Sequence, residues 1–332
     1  MTQENRQYRL AARPVGLPKP TDWTFTKEPA RAPDEGEVLI AVEYLSLDPA
    51  MRGWMNEGKS YIAPVKIGDV MRAGGVGKVL ESKANFVPGD YVYGTTGIQS
   101  FATLKAKDLT KIDPTLAPLP VYLNVLGMPG MTAYFGLLDI GEPKPGETVV
   151  VSGAAGAVGA TVGQIAKLKG CHVVGIAGGA EKCSFLLQEL GFDAAVDYKS
   201  GDLKKALKSA CPNGIDVYFD NVGGDILDTC LALIAPRARI IICGAISQYN
   251  NTTAIKGPAN YLSLLVNRAK MQGMVVFDYA ARYGEAAKEM AGWMAEKKLK
   301  SKEDIVEGLE TFPETLLKLF SGENFGKLVL KV

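Results

Sequence analysis

From about Tyr8 to Leu119 the apolar residues come in short runs, such as Val38 to Leu45, Gly75 to Glu81 and Tyr91 to Gly94, broken by turn signals including Pro88-Gly89-Asp90. Short apolar runs bounded by Gly, Pro and Asp read as strands, so this zone predicts a small β-rich domain. From about Leu126 to Asp278 the pattern changes. Apolar strands at Thr148 to Ser152, His172 to Ala177, Ile215 to Phe219 and Arg239 to Cys243 alternate with amphipathic helical segments. Near-continuous apolar strands separated by crossover helices are how a parallel sheet buried on both faces reads. Arg282 to Lys298 is again helical in pattern, and Phe325 to Val332 closes the chain with a β-like run that is able to rejoin the first zone. The expected fold class is α/β: a β-rich domain beside a doubly wound parallel sheet.

Within that second zone, the strand Val149-Val150-Val151-Ser152 runs into Gly153-Ala154-Ala155-Gly156-Ala157-Val158-Gly159 and then into a helical run from Ala160 to Lys169. Ala154, Gly156 and Gly159 occupy the three positions of the G-x-G-x-x-G fingerprint, with Ala for the first Gly. Small residues there permit the tight turn, the approach of a pyrophosphate and close helix-strand packing. The helix start offers free N–H groups and the positive end of its dipole, so the turn binds an anion without a cationic side chain. A lone glycine motif also serves plain turns, but here a second strand, His172 to Ala177, arrives at the distance a dinucleotide fold requires. At the end of that strand an acid would hydrogen-bond the ribose hydroxyls of NAD. Gly178-Gly179 stand there instead and leave room for a 2′-phosphate, with Lys182 one helical turn on. This favours NADPH over NADH; the alternative is that Glu181 and Lys182 merely open a solvated helix.

Composition narrows the partners. The chain has 332 residues, 47% hydrophobic and 22% charged, with Lys+Arg 37 against Asp+Glu 36 and a formal net charge of +1. That length is a prior for two domains, and the charge balance supplies no field to attract nucleic acid or a membrane surface. No apolar stretch is long enough to span a bilayer, and Met1 to Leu10 is polar, without the apolar core of a signal peptide. A cytoplasmic location is the expectation. The cysteines Cys171, Cys183, Cys211, Cys230 and Cys243 are odd in number and widely spaced, so they read as reduced thiols. Residues 1 to 170 contain neither Cys nor His, so that stretch cannot supply thiolate or imidazole ligands to a Cys₂His zinc site; no metal is expected. His172 reads as a core or strand-end histidine.

Hydride transfer without a Lewis acid suits a carbon-carbon double bond conjugated to a carbonyl. Attack at the β-carbon leaves an enolate that needs a hydrogen-bond donor at oxygen and a proton at the α-carbon, roles open to a tyrosine, the cofactor ribose or water.

Several further segments stand in consistent order along the chain: Leu45-Ser46-Leu47-Asp48-Pro49-Ala50-Met51-Arg52, Gly127-Met128-Pro129-Gly130-Met131-Thr132-Ala133-Tyr134, Asp220-Asn221-Val222-Gly223-Gly224, Cys243-Gly244-Ala245-Ile246-Ser247-Gln248-Tyr249-Asn250 and Asn324-Phe325-Gly326-Lys327. Together they resemble the zinc-independent branch of the medium-chain dehydrogenase/reductases that includes prostaglandin reductase, alkenal double-bond reductases and bacterial curcumin reductase. The resemblance implies a GroES-like substrate domain from residues 1–125 and 299–332, a Rossmann NADP(H)-binding domain over residues 126–298, and a cleft where they meet. It also implies NADPH-dependent reduction of enones and enals, commonly by a homodimer. By matching positions, Lys182 and Tyr198 resemble 2′-phosphate contacts, Asn221 and Asn324 cofactor contacts around nicotinamide and ribose, and Cys243, Gly244, Ala245, Ile246, Ser247, Val276 and Phe277 the nicotinamide side. Tyr249 resembles an active-site tyrosine that donates to the enolate or relays a proton; placing the cofactor or walling the pocket is its alternative. Tyr61 resembles a second pocket tyrosine, more suited to substrate placement. Many members carry Tyr where this chain has Ala50, so no mechanism resting on that hydroxyl applies here. Asp48 and Arg52, four apart, read as a structural pair. An NADP-dependent alcohol or ketone oxidoreductase, or an NADPH-binding protein without turnover, are the competing functions.

Overall fold

The computed structural model describes residues 3–332, so Met1 and Thr2 of the polar opening stretch lie outside the described residues. The chain divides into two compact units, Met1–Leu123 with Glu303–Val332, and Asn124–Lys302. In the first, β1 (Glu4–Leu10) pairs antiparallel with β2 (Trp23–Pro29). Five further strands follow: β3 (Glu37–Ser46), β4 (Gly75–Ser82), β5 (Tyr91–Gly94), β6 (Phe101–Lys105) and β7 (Thr110–Ile112), with the short helix α1 (Ala50–Trp54) after β3. The expected runs at Val38, Gly75 and Tyr91 are thus strands.

The second unit opens with α2 (Met128–Phe135) and then alternates: β8 (Thr148–Ser152), α3 (Ala157–Leu168), β9 (His172–Ala177), α4 (Ala180–Gln188), β10 (Ala194–Asp197), α5 (Leu203–Ala210), β11 (Ile215–Asp220), α6 (Gly224–Leu231), β12 (Ile234–Ile242), α7 (Leu262–Asn267), β13 (Lys270–Gly273) and α8 (Tyr283–Ala295). The sheet order is β10-β9-β8-β11-β12-β13, every pair parallel. All residues of β8 are buried, as a central strand covered on both faces requires. Val150, Val174, Tyr218 and Ile240 from four neighbouring strands share one core with Leu207 of α5 and Leu231 of α6. The strand expected at Arg239 begins earlier, at Ile234. A register shift between Ile215 and Val217 of its partner accommodates Pro236 and Arg237, the latter at φ 65°. This irregularity breaks the apolar run and hides the strand's start from a pattern reading.

The chain then returns to the first unit through β14 (Glu303–Glu307), α9 (Phe312–Ser321) and β15 (Lys327–Lys331). Its larger sheet runs β14-β15-β3-β4-β5-β7, with β6 also on β3. Phe312 and Leu316 of α9 pack with Trp23, Leu45, Met51 and Trp54 in one core, against which Ala50 is half-buried. Asp48 is held there by the buried Lys327, whose Nζ donates to its carboxylate and to the Leu47 carbonyl, both at 2.7 Å. Arg52 donates to the carbonyls of Gly16 and Pro14 and to Asn56. Among the described residues no helix is long and apolar enough to cross a membrane, and all five cysteines are free.

Candidate functional site

The six parallel strands of the second unit end on one side of their sheet, at Ser152, Ala177, Asp197, Asp220, Ile242 and Gly273. In an open parallel sheet, ligands bind beyond the carboxyl ends where the winding direction reverses. The chain winds outward through β9 and β10 on one side of β8 and through β11 to β13 on the other, so that point lies between β8 and β11.

Beyond β8, Gly153 turns at φ 58° and its carbonyl accepts from the Gly156 amide at 3.0 Å. The buried Ala154 ties this turn to β9, its amide donating to the Ile176 carbonyl at 3.0 Å. Gly156 caps α3 without a side-chain hydrogen bond, and the first turn carries no acid. The first intrahelical bond there runs from the Ala160 amide to the Gly156 carbonyl, so the amides of Ala157, Val158 and Gly159 precede it and face outward for an external acceptor. A Cβ on Gly159 would lie 2.4 Å from the Gly153 oxygen; hydrogen at that position lets the helix approach the turn. Three amides, the dipole and no competing carboxylate fit a pyrophosphate.

Beyond β9, a Cβ on Gly178 would lie 2.9 Å from both the Tyr198 ring and Lys199 Cε, so Tyr198 rests against the Gly178 backbone. Asp197 accepts from the amides of Gly179 and Lys199, both at 2.9 Å, and these bonds hold its carboxyl below the usual range. Lys182 lies in the first turn of α4, and Lys199 Nζ stands 6.0 Å over the Tyr198 ring. β9 itself ends without an acid, but the Asp197 carboxylate from β10 sits on the Gly179 amide, so a 2′-phosphate at this corner depends on the Lys182 and Lys199 cations.

Beyond β11 and β12 two loops are knit together. The Ile246 amide donates to the Asn221 carbonyl at 3.2 Å and the Ser247 amide to the Val222 carbonyl at 3.1 Å. Asn221 is anchored to β8, its side-chain amide donating to the Ser152 carbonyl at 2.8 Å. Tyr249 folds back over Gly244: the Ala245 amide donates to its hydroxyl at 3.1 Å, and a Cβ on Gly244 would lie 2.9 Å from that oxygen. Burial and the nearby Asp220 charge push the Cys243 thiol up to about 12, so it stays protonated near neutral pH and is no nucleophile. Val276 is buried and Phe277 exposed in the turn after β13.

The remaining candidates belong to the other unit. The Tyr61 hydroxyl accepts from Trp54 Nε1 at 3.4 Å, and the Asn324 side chain donates to the Gly326 carbonyl at 3.0 Å. His172 opens β9, at the end of the strand away from the crevice, with its Nε2 3.1 Å from the Ala210 carbonyl. Among the described residues no group of three or more His, Cys, Asp or Glu is placed to hold a metal. The sequence reading passed over the pair Ser152 and Asp220, which joins β8 to β11 across the switch point with a 2.9 Å bond. Each is the polar residue at the carboxyl end of its strand, and nothing local in the sequence shows that the two meet.

Two family models match the chain, one described as the N-terminal domain of oxidoreductase over residues 6–112 and one as zinc-binding dehydrogenase over residues 157–294. The NADPH-dependent curcumin reductase of Escherichia coli (strain K12) is 46% identical, over 99% of this chain and 97% of that one. The 2-alkenal reductase (NADP(+)-dependent) of Nicotiana tabacum is 42% identical, also over 99% of this chain and 97% of its own. Among solved structures, CurA from Vibrio vulnificus in complex with NADPH matches with a TM-score of 0.94 at 46% identity, covering 98% of this chain and 99% of that one.

Proposed function

The chain belongs to the medium-chain dehydrogenase/reductase family, in the branch of curcumin and 2-alkenal reductases, and on that basis we propose that it reduces the α,β-carbon-carbon double bond of enones and enals with NADPH. The observation that carries this reading is the uncapped start of α3 at the switch point, beside a strand end that offers Gly178-Gly179 where an acid would select NAD.

The amides of Ala157, Val158 and Gly159 would hold the pyrophosphate, Lys182 and Tyr198 the 2′-phosphate, and Asn221 with Gly244 to Ser247, Val276 and Phe277 the nicotinamide side. Bound there, NADPH supplies the hydride that adds to the β-carbon of the substrate. Tyr249 is the donor to the enolate oxygen that this addition creates, and its hydroxyl is already positioned by the Ala245 amide. Charge develops on that oxygen as the bond forms, so a preoriented donor acts most strongly in the transition state.

The protein works as a homodimer in the cytoplasm. β13 forms one edge of the parallel sheet with all its residues exposed, and α7 beside it exposes Leu262, Leu265 and Val266. An apolar helix next to an open strand edge favours pairing with a second copy. Five unbridged cysteines suit a reducing compartment. Sedimentation should give twice the 35.5 kDa chain mass.

The test of the reaction is loss of reduced-nicotinamide absorbance with NADPH, then NADH, against enones, enals and simple ketones, with products identified. Faster NADPH oxidation yielding saturated carbonyls is expected. Alcohol products would reassign the protein to carbonyl reduction, and cofactor binding without turnover across the panel would leave it a binding protein.

A further inference from the structure

Asp220 ends β11 with no accessible surface. One of its carboxylate oxygens, Oδ1, accepts from Ser152 Oγ at 2.9 Å, Tyr218 Oη at 2.7 Å, and the amides of Val222 at 3.0 Å and Gly223 at 2.9 Å. Its carbonyl accepts from the amides of Cys243 and Gly244 at 2.9 and 3.1 Å. The residue therefore pins both loops of the crevice, those after β11 and after β12. All the donors to the carboxylate are neutral groups. Its second oxygen, Oδ2, is buried and has no hydrogen-bond partner among the described residues.

Bracing the loop uses one oxygen, and a neutral amide oxygen would accept the same bonds. The charge is left over. Its influence is felt around it, where burial together with this carboxylate pushes the Tyr218 hydroxyl and the Cys230 and Cys243 thiols upward. Neutral donors satisfy one oxygen of this buried carboxylate, and the other is left for a nearby positive charge to offset. The crevice above it is the place where, on the reading proposed above, the nicotinamide binds. NADP⁺ and NADPH share every other group; the oxidised ring carries a positive charge and the reduced ring is neutral.

We propose that Asp220 is a positioning residue whose buried negative charge, acting through the two loops it braces, favours the oxidised form of the bound cofactor. The inference rests on NADPH binding in this crevice. By stabilising the charge that appears on the ring as reduction of the substrate proceeds, the carboxylate makes the bound cofactor a stronger reductant.

The test is the dissociation constant of each cofactor form, by calorimetry on the whole protein, for the wild type and Asp220→Asn. An amide oxygen keeps the acceptor for all the donors and removes the charge. The expected result is NADP⁺ binding weakened about tenfold with NADPH unchanged within about twofold; a tenfold change in that ratio is about 30 mV in the midpoint of a two-electron couple. Equal weakening of both forms, or no change in either, overturns the proposal and leaves a neutral brace. If Asp220→Asn does not fold, Asp220→Ser supplies a second neutral acceptor; failure of both to fold assigns the carboxylate to the fold and also overturns the proposal. A wild-type protein that binds neither form defeats the cofactor reading itself, an outcome separate from any effect of the substitutions, and removes the basis of this one.

Discussion

Replacing Gly159 by Ala puts a methyl carbon 2.4 Å from the Gly153 carbonyl oxygen and 2.8 Å from Ala154 Cα. Both neighbours are backbone, so no side chain can rotate away. Ordinary contact begins at 3.4 Å, and the helix start and the turn must separate by about 1 Å, enough to stretch amide hydrogen bonds beyond their useful length. Hydrogen bonds to a charged group contribute about 1.5–3 kcal/mol each. Losing the equivalent of one or two removes about 3 kcal/mol of cofactor affinity, roughly a hundredfold in Kd. Overpacking costs about 1–3 kcal/mol of stability, and Ala in place of a helical Gly recovers about 1, so Tm should fall by only about 2–4 °C per remaining kcal/mol. Calorimetric titration with NADPH, alongside 2′-AMP, separates local from general damage, because 2′-AMP lacks the pyrophosphate and should bind Gly159→Ala within about twofold of the wild type. A folded Gly159→Ala protein that binds NADPH within about threefold of the wild type would refute the reasoning that places the pyrophosphate on these amides.

Tyr249→Phe removes the hydroxyl that the Ala245 amide positions; single-turnover reduction of a chemistry-limited enone should slow by about tenfold or more with NADPH affinity unchanged, and an unaltered rate removes the donor role. Gly178→Asp introduces a negative charge beside Tyr198, where the added Cβ meets only movable side chains 2.9 Å away; the NADPH-to-NADH preference in kcat/KM should fall by roughly tenfold or more through repulsion of the 2′-phosphate, and an unchanged ratio would move that phosphate elsewhere. Glu37 is held at about 2, below its ordinary 4.5, by the Arg31 guanidinium and the Asp34 amide. A carboxylate whose folded value is depressed contributes stability that is fully present above the unfolded value and is lost as pH falls through the folded one. Glu37→Gln should therefore flatten the fall in Tm between about pH 4.5 and 2, and identical acid limbs for the two proteins would count against the pairing.

The cradle was legible because its parts are contiguous. Strand, turn and helix follow one another from Thr148 to Leu168, so local spacing specified which amides would face an anion. The parallel sheet was legible for a related reason, since strands buried on both faces need apolar residues at nearly every position. Pro236 and Arg237 defeated the same logic in β12, where a register shift has no periodicity to read.

Residue types and local order thus determined the fold class, the phosphate-binding turn and the absence of an acid at the end of β9. Tertiary structure decided what depends on segments far apart in the chain. Lys327 reaches Asp48 across 279 positions, and Ser152 reaches Asp220 across 68. Nothing near Asp220 in sequence distinguishes a solvated loop acid from a buried one braced by four donors. That difference arises because β8 and β11 become neighbours in the sheet, which brings their polar ends together in a space that excludes water.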